Sequence, residues 1–261
     1  MGGESTTRTA PRSGGTGTGT GQAGSRTGQR LSGVAVALGL VLFLAGFAWA
    51  AVVYRPYTVP TSSMTPTINI GDRVLAQRVD GGEVRRGDVV VFTDKSWVTN
   101  APVVKRVVAV GGDTVSCCKQ GKLTVNGKRI DEPYLKGGVA EAANFPTVKV
   151  PAGRLFLLGD EREGSLDSTA HLTDAAKGTV SRDAVTARVD AVVWPVNGML
   201  ERPSGFQALG TLSQPGPLRT MVLLIVAGAA LVLLGGAYGP IAKLLGGGSR
   251  ARARTEPASA R

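Results

Sequence analysis

The sequence contains an eight-residue run, Val103-Val104-Lys105-Arg106-Val107-Val108-Ala109-Val110, in which two basic residues interrupt six apolar ones. β-Branched residues dominate the run, which is typical of a strand. Because successive side chains of a strand point to opposite faces, Lys105 shares a face with Val103, Val107 and Ala109. A dry face would lower the pKa of this lysine and favour its neutral amine. Both faces are apolar, however, so an edge-strand lysine that extends to water is the alternative.

Similar short, Val-rich runs recur on both sides of this one and predict a mainly β domain, built as a barrel or a sandwich. They are Arg73–Val79, Asp88–Thr93, Lys122–Val125, Thr147–Val150, Leu155–Leu158 and Ala184–Trp194. Asn126-Gly127 predicts a tight hairpin turn after Lys122–Val125. The domain is expected over residues 55–202, and the Gly-, Pro-, Ser- and Gln-containing residues 203–219 are expected to form a linker.

Two uncharged runs flank this domain, 24 residues at 31–54 and 23 residues at 220–242. A helix of about 20 residues crosses the ~30 Å bilayer core, so each run predicts a transmembrane helix. A cleavable signal peptide is the alternative for the first run, because Ala48-Trp49-Ala50 resembles a cleavage site. Residues 1–30 have almost no apolar side chains and are expected to form a disordered tail.

The basic residues near the two runs predict the membrane topology. Residues 1–30 carry a net charge of +3 and residues 243–261 a net charge of +4, out of +11 for the chain. Because basic flanks remain in the cytoplasm, both tails are expected there, with the β domain outside the cell membrane. Most of the excess positive charge therefore lies in the two tails and is explained by membrane topology. We expect no nucleic-acid partner. A nucleic-acid-binding membrane protein is the alternative suggested by the charge alone.

Few residues are available for metal or histidine chemistry. The chain has one histidine, His171, and two cysteines, the adjacent Cys117 and Cys118, so no metal site is expected. His171 falls in a polar loop, where a solvated side chain is expected. The cysteines are either a vicinal disulfide or two free thiols, and neither is expected to react. Ser116-Cys117-Cys118-Lys119 has the S-x-x-K spacing of β-lactamases but lacks their other motifs.

A serine nucleophile in this chain would need a base other than histidine, and a buried lysine can serve. Ser63 lies in Val59-Pro60-Thr61-Ser62-Ser63-Met64-Thr65-Pro66-Thr67, where flanking prolines restrict the backbone. It is within eight residues of Arg55, and so within ~28 Å of the end of the first run at 3.3–3.6 Å per residue. An ordinary turn leaving the membrane is the alternative.

Four segments in order resemble the conserved boxes of type I signal peptidases. They are Val59–Thr67 with Ile70–Val74, Arg86–Phe92, Lys105–Asp113, and Gly159–Ser168. The resemblance implies an antiparallel β-sheet catalytic domain and a membrane-bound serine endopeptidase that removes signal peptides from exported preproteins. It implies Ser63 as nucleophile and Lys105 as general base, without a cofactor. Thr61 and the Ser63 N–H would form the oxyanion hole, and Ser165 would hold the lysine amine. Asp160, Arg162 and Asp167 would brace the site.

The last box departs from the family pattern. Glu161 replaces an Asn, Glu163-Gly164 replace Asp-Asn, and Thr169 replaces an Arg. These changes add acidic groups and remove a basic one beside Ser165. They leave open the alternative that the chain is a catalytically weak, membrane-anchored binding protein of the same fold. A further hypothesis is an enzyme with a narrower set of substrates. The expected partners are preproteins with Ala-x-Ala-type cleavage sites, the lipid bilayer and the secretion machinery.

Overall fold

The computed structural model describes residues 26–99, 101–119, 121–135 and 144–251. Two long helices, α1 (Arg26–Val53) and α2 (Leu218–Ala251), flank the β-rich part of the chain. Among the described residues between them there are strands and short 3-10 helices but no α-helix. Twelve strands in these residues follow one another along the chain. They are β1 (Tyr54–Thr58), β2 (Arg73–Arg78), β3 (Val89–Phe92), β4 (Val103–Val110), β5 (Thr114–Lys119), β6 (Lys122–Val125), β7 (Lys128–Arg129), β8 (Phe145–Lys149), β9 (Arg154–Leu158), β10 (Thr179–Ser181), β11 (Val185–Trp194) and β12 (Gly198–Met199).

The strands form two antiparallel sheets. The larger sheet has the order β1-β2-β11-β3-β4-β9-β10, with β12 paired to β11. The smaller sheet has the order β7-β6-β5-β8. Asn126 and Gly127 have positive φ angles and connect β6 to β7, as a two-residue hairpin turn requires. The predicted mainly β fold is therefore confirmed.

The apolar side chains of both sheets are buried. One cluster includes Val115 and Leu123 of the smaller sheet and Phe156 of β9, so the two sheets share a core. A second cluster joins Met64 and Ile68 to Val74 and Val189 of the larger sheet. Full burial of a large apolar side chain stabilises the fold by about 1.5–3 kcal/mol. The clusters include apolar side chains of β3 and β9, so β4 lies between two strands that are packed into the core.

Residues 203–219, which the sequence predicts as a linker, contact the β domain at two buried side chains. They include a 3-10 helix, Ser204–Leu209, whose Phe206 is fully buried in the core shared by the sheets. Ser213 is also buried and donates a hydrogen bond to Asp88. The sequence did not indicate these contacts, because burial of a single Phe depends on distant partners.

The chain divides into two compact units, Phe43–Val226 and Met1–Leu42 with Ala227–Arg261. In the second unit, α1 and α2 pack closely at Gly39, where a Cβ would lie 2.7 Å from Gly228 O. Ser32 Oγ donates a 2.7 Å hydrogen bond to Gly235 O. Small residues allow such close approach between apolar helices.

Both helices are long and apolar enough to cross a membrane, over Thr27–Val53 and Leu218–Ile241. α1 begins at Arg26, within the expected N-terminal tail, and ends before Tyr54, which belongs to β1. α2 begins two residues before the predicted span and extends past it to Ala251. The expected tail residues 1–25 and 252–261 lie outside the described residues.

Candidate active site

Ser63 lies in the loop that connects β1 to β2. Backbone hydrogen bonds close this loop at its base, since Val59 N–H donates to Asp72 O at 2.9 Å. Met64 and Ile68 insert completely into the core under the larger sheet. Together with Val59, which precedes Ser63 and is buried in the same cluster, these anchors fix the position of Ser63, which is only 8% exposed.

Lys105 lies on β4, which is paired on both sides, with β3 and with β9. The side chain is buried and the residue is 3% exposed. An edge-strand lysine extending to water is therefore excluded. Its neighbour Arg106, on the opposite face, is 2% exposed. Both charges of the Val103–Val110 run are buried, because both faces of this strand are covered.

The two candidate catalytic side chains meet. Lys105 Nζ lies 2.7 Å from Ser63 Oγ, within a buried hydrogen bond. Burial lowers the pKa of Lys105 to about 8, against the opposing effect of the Asp167 and Asp160 carboxylates. About a tenth of the lysine is then neutral at pH 7. A neutral amine at this distance can accept the serine proton, so the pair is suited to nucleophilic catalysis.

Thr61 lies beside Ser63. Its Oγ1 is 3.3 Å from Ser63 Oγ, and its side chain is exposed. No described residue accepts a hydrogen bond from the Ser63 backbone N–H. Two donors are thus available next to the Ser63 hydroxyl, as stabilisation of an oxyanion requires.

The residues that follow β9 pack against the loop that carries Ser63. Glu161 N–H donates a 3.1 Å hydrogen bond to Ser63 O. Ser165 is buried, and the space it fills would overlap a Cβ at Gly159. Its Oγ has no hydrogen-bond partner among the residues that the structure describes, and the expected Lys105–Ser165 hydrogen bond is not formed. Lys105 Nζ is directed to Ser63 instead.

Asp160 forms a buried ion pair with Arg106. Arg106 donates from Nε at 2.8 Å and from Nη2 at 2.6 Å, one hydrogen bond to each carboxylate oxygen. Its Nη1 donates to Gly87 O, and the guanidinium lies 3.9 Å from the centre of the Tyr134 ring. Arg106 is not among the site residues that the sequence predicts, although a charged residue on the second face of an apolar strand is a signal for one.

Arg162 is part of a second buried ion pair, with Glu132. Its Nη1 and Nη2 donate to the two Glu132 oxygens at 3.0 and 2.6 Å, and its Nε donates to Gly159 O at 2.9 Å. Tyr134 OH also donates to Glu132. No local sequence pattern indicates Glu132, because it contacts Arg162 from 30 residues away.

Asp167 accepts three hydrogen bonds. They come from Gly159 N at 2.9 Å, Thr169 N at 3.0 Å and Thr169 Oγ1 at 2.8 Å. Thr169, where the family resemblance leads us to expect an arginine, therefore holds this carboxylate with neutral donors. The negative charge of Asp167 remains and acts on Lys105.

The remaining candidate groups have other partners. His171 stacks on Trp97 with ring centres 4.6 Å apart and hydrogen-bonds Asp174, so it is less solvated than expected. Cys117 and Cys118 form a vicinal disulfide. Among the residues that the structure describes, no group of three or more His, Cys, Asp or Glu is arranged to hold a metal ion.

An antiparallel β domain in which a buried lysine contacts a serine on a fixed loop has the geometry of a serine hydrolase with a lysine base. A family model described as signal peptidase, peptidase S26, matches residues 31–194. This match covers more than half of the chain, so the chain belongs to the signal peptidase family, peptidase S26. The predicted family is confirmed.

Individual relatives support this membership. Signal peptidase I of Mycobacterium tuberculosis (strain CDC 1551 / Oshkosh) is 35% identical over an alignment of 193 residues that covers 55% of this chain and 66% of that protein. This chain thus spans just under two thirds of that relative. Signal peptidase I T of Bacillus subtilis (strain 168) is 35% identical over 156 residues, 56% of this chain and 77% of that protein. A signal peptidase I structure from Enterococcus faecalis V583 is 26% identical and covers 45% of this chain and 97% of that chain, with a TM-score of 0.32, too low to support an argument.

Proposed function

We propose that this chain is a membrane-bound serine endopeptidase that removes N-terminal signal peptides from exported preproteins. The observation that carries the proposal is the buried 2.7 Å contact between Lys105 Nζ and Ser63 Oγ. Membership of the signal peptidase family supports the same reaction class. No cofactor takes part in the proposed reaction.

The proposed chemistry begins with proton transfer from Ser63 to neutral Lys105 while Ser63 Oγ attacks the scissile carbonyl carbon. The carbonyl oxygen becomes an oxyanion and accepts hydrogen bonds from Thr61 Oγ1 and Ser63 N–H. Collapse of this intermediate breaks the C–N bond, and the lysine ammonium donates its proton to the leaving amine. Lys105, neutral again, then deprotonates a water molecule that attacks the acyl carbon, and the ammonium returns this proton to Ser63 Oγ as the ester C–O bond breaks.

The supporting residues do not react in the proposed mechanism but hold the reacting groups in place. Asp160, neutralised by Arg106, fixes the segment after β9, and Arg162 holds Gly159 O. Asp167 holds the Gly159 N–H and, through its charge, raises the pKa of Lys105 against the effect of burial. Ser165 fills the space beside Gly159. These contacts keep Ser63 O and the neighbouring hydroxyl at fixed positions.

The substrates and the membrane placement follow from the same proposal. Both apolar helices span the cell membrane with cytoplasmic termini, because the basic residues lie in the two tails. The β domain then faces the exterior, with Ser63 close to the membrane surface. Its partners would be preproteins with Ala-x-Ala-type sites, the lipid bilayer and the secretion machinery, and not nucleic acid.

The test is cleavage of a purified secretory precursor by the full-length protein in detergent, followed by sequencing of the product's new N-terminus. We expect cleavage after an Ala-x-Ala site, abolished by Ser63→Ala. The matched control is Ser62→Ala, since Ser62 is the exposed neighbouring serine. Retention of the precursor without cleavage by the wild-type protein would favour the membrane-anchored binding protein. If Ser63→Ala cleaved the precursor as well as Ser62→Ala does, Ser63 would be excluded as the nucleophile.

A further inference from the structure

The loop that carries Ser63 is hydrogen-bonded to the segment after β9 at two points. At the first point, Glu161 N–H donates to Ser63 O at 3.1 Å. At the second point, Thr67 Oγ1 donates to Asp160 Oδ2 at 2.5 Å. Because Asp160 and Glu161 are consecutive, one short segment holds both ends of residues 63–67. The proposed reaction does not use the Thr67 hydroxyl.

Asp160 is a fixed acceptor for the Thr67 hydroxyl. Its side chain is fully buried, and Arg106 donates to both of its oxygens, at 2.8 and 2.6 Å. Arg106 is held in turn, because its Nη1 donates to Gly87 O at 2.9 Å and its guanidinium packs on the Tyr134 ring. Since an ionised carboxylate can only accept, Thr67 is the donor. The hydroxyl is therefore bonded to a group that a buried ion pair keeps in place.

Removal of the Thr67 hydroxyl would leave no buried charge without a partner. Asp160 Oδ2, its acceptor, also accepts from Arg106 Nη2, so the ion pair remains. The same hydroxyl accepts from Arg106 Nη2 at 3.4 Å, and Thr67 itself is half-buried. The hydroxyl can thus be removed at a small cost in folding stability, unlike either partner of the ion pair.

The turn between Ser63 and Thr67 can transmit this contact to the candidate nucleophile. Ile68 N–H donates to Met64 O at 2.9 Å, which closes the turn. Met64 and Ile68 are fully buried, and they directly follow Ser63 and Thr67 in the chain. Rotation of the turn about these two anchors would move Ser63 Oγ away from Lys105 Nζ. The hydrogen bond of Thr67 opposes this rotation.

From these contacts we infer that Thr67 is a positioning residue for Ser63 and acts through its hydrogen bond to Asp160. The reacting atoms must lie about 3–3.5 Å apart, and a misplacement of about 1 Å can lower the rate by about 100-fold. The buried Asp160–Arg106 pair would then serve the loop that carries Ser63. The effect on catalysis rests on the proposed function, but the effect on the loop does not.

The test compares Thr67→Val, which removes the hydroxyl, with Thr67→Ser, which retains it. The kcat and KM for a precursor peptide are measured with the full-length protein in detergent. We expect Thr67→Val to lower kcat about tenfold with KM unchanged, because a hydrogen bond to a charged group is lost and only the position of Ser63 differs. Thr67→Ser should retain most of the wild-type kcat. A merely structural role would not produce this split and rescue.

The matched control is Thr65→Val in the same loop. Thr65 is also half-buried, and its hydroxyl has no hydrogen bond to any residue that the structure describes. Thr65→Val should therefore keep the wild-type kcat. Amide hydrogen exchange of residues 62–68, followed by mass spectrometry, gives a second readout that does not need cleavage. Exchange should be faster in Thr67→Val than in the wild type and unchanged in Thr65→Val.

Three kinetic results would overturn the inference. They are a wild-type kcat in Thr67→Val, an equal loss of kcat in Thr65→Val, and a loss in Thr67→Ser as large as that in Thr67→Val. Absence of cleavage by the wild-type protein would instead contradict the proposed function. Hydrogen exchange would then decide the inference alone: faster exchange confined to Thr67→Val would support the role of Thr67 in fixing the loop, and unchanged exchange would overturn it.

Discussion

A single methyl group added at Gly159 should lower the rate of catalysis strongly while the protein still folds. A Cβ at this residue would lie 2.5 Å from Ser165 Cβ and would also overlap Ser63 O and Ser165 Oγ. Ordinary contacts of a Cβ begin at 3.4 Å, so the neighbours of Gly159→Ala must separate by about 0.9 Å. Overpacking of this kind costs about 1–3 kcal/mol of stability.

The same displacement reaches Ser63, the proposed nucleophile, because Ser63 O is one of the atoms that must move. A misplacement of about 1 Å lowers kcat/KM by about 100-fold. The assay is kcat/KM on a precursor peptide, with the free energy of unfolding measured by urea denaturation. The matched control is Gly164→Ala in the same segment, whose new Cβ meets its nearest neighbour, Glu161 Cγ, at 3.4 Å. Wild-type kcat/KM in a folded Gly159→Ala protein would refute the reasoning.

Three further predictions concern the base, the oxyanion and the ion pair. The kcat/KM of the wild-type protein should rise with pH to a plateau above about 8, where Lys105 becomes neutral, and a pH–rate profile flat between 6 and 9 would contradict this. Thr61→Ala should lower kcat by about 10²–10³, with Thr61→Ser retaining most of it, in steady-state kinetics. Arg106→Met should cost about 3–5 kcal/mol by urea denaturation, because it leaves Asp160 buried without its partner, and Asp160→Asn added to that variant should recover part of the loss.

The strands were predictable where local chemistry sets them. β4 covers Val103–Val110, the whole predicted run, because six apolar residues of high strand propensity determine it. The Asn126-Gly127 turn was predictable because both residues tolerate positive φ. β1 was not predicted, since Pro56 and the nearby polar residues resemble a loop. Its pairing with β2 is a tertiary interaction that composition does not encode.

The identity of the main candidate site residues was predictable from the sequence, but many of the contacts between them were not. Family resemblance indicated Ser63 and Lys105, but the strand pattern alone left open which basic residue of β4 is buried. The structure buries both, because β3 and β9 cover both edges of β4 and the core covers its faces. The pairing of Arg162 with Glu132 depends on chain segments 30 residues apart and has no local signal.

The central claim is that Lys105 is the base for Ser63, and the most direct measurement is a double-mutant cycle on kcat/KM for precursor cleavage. Ser63→Ala and Lys105→Met should each lower kcat/KM by about 10⁴-fold or more, and the double variant should lose no more than either, because the two groups act as one unit. Lys149→Met, at an exposed lysine, is the control and should leave cleavage unchanged. Additive losses in the double variant, or substantial cleavage by Lys105→Met, would contradict the account.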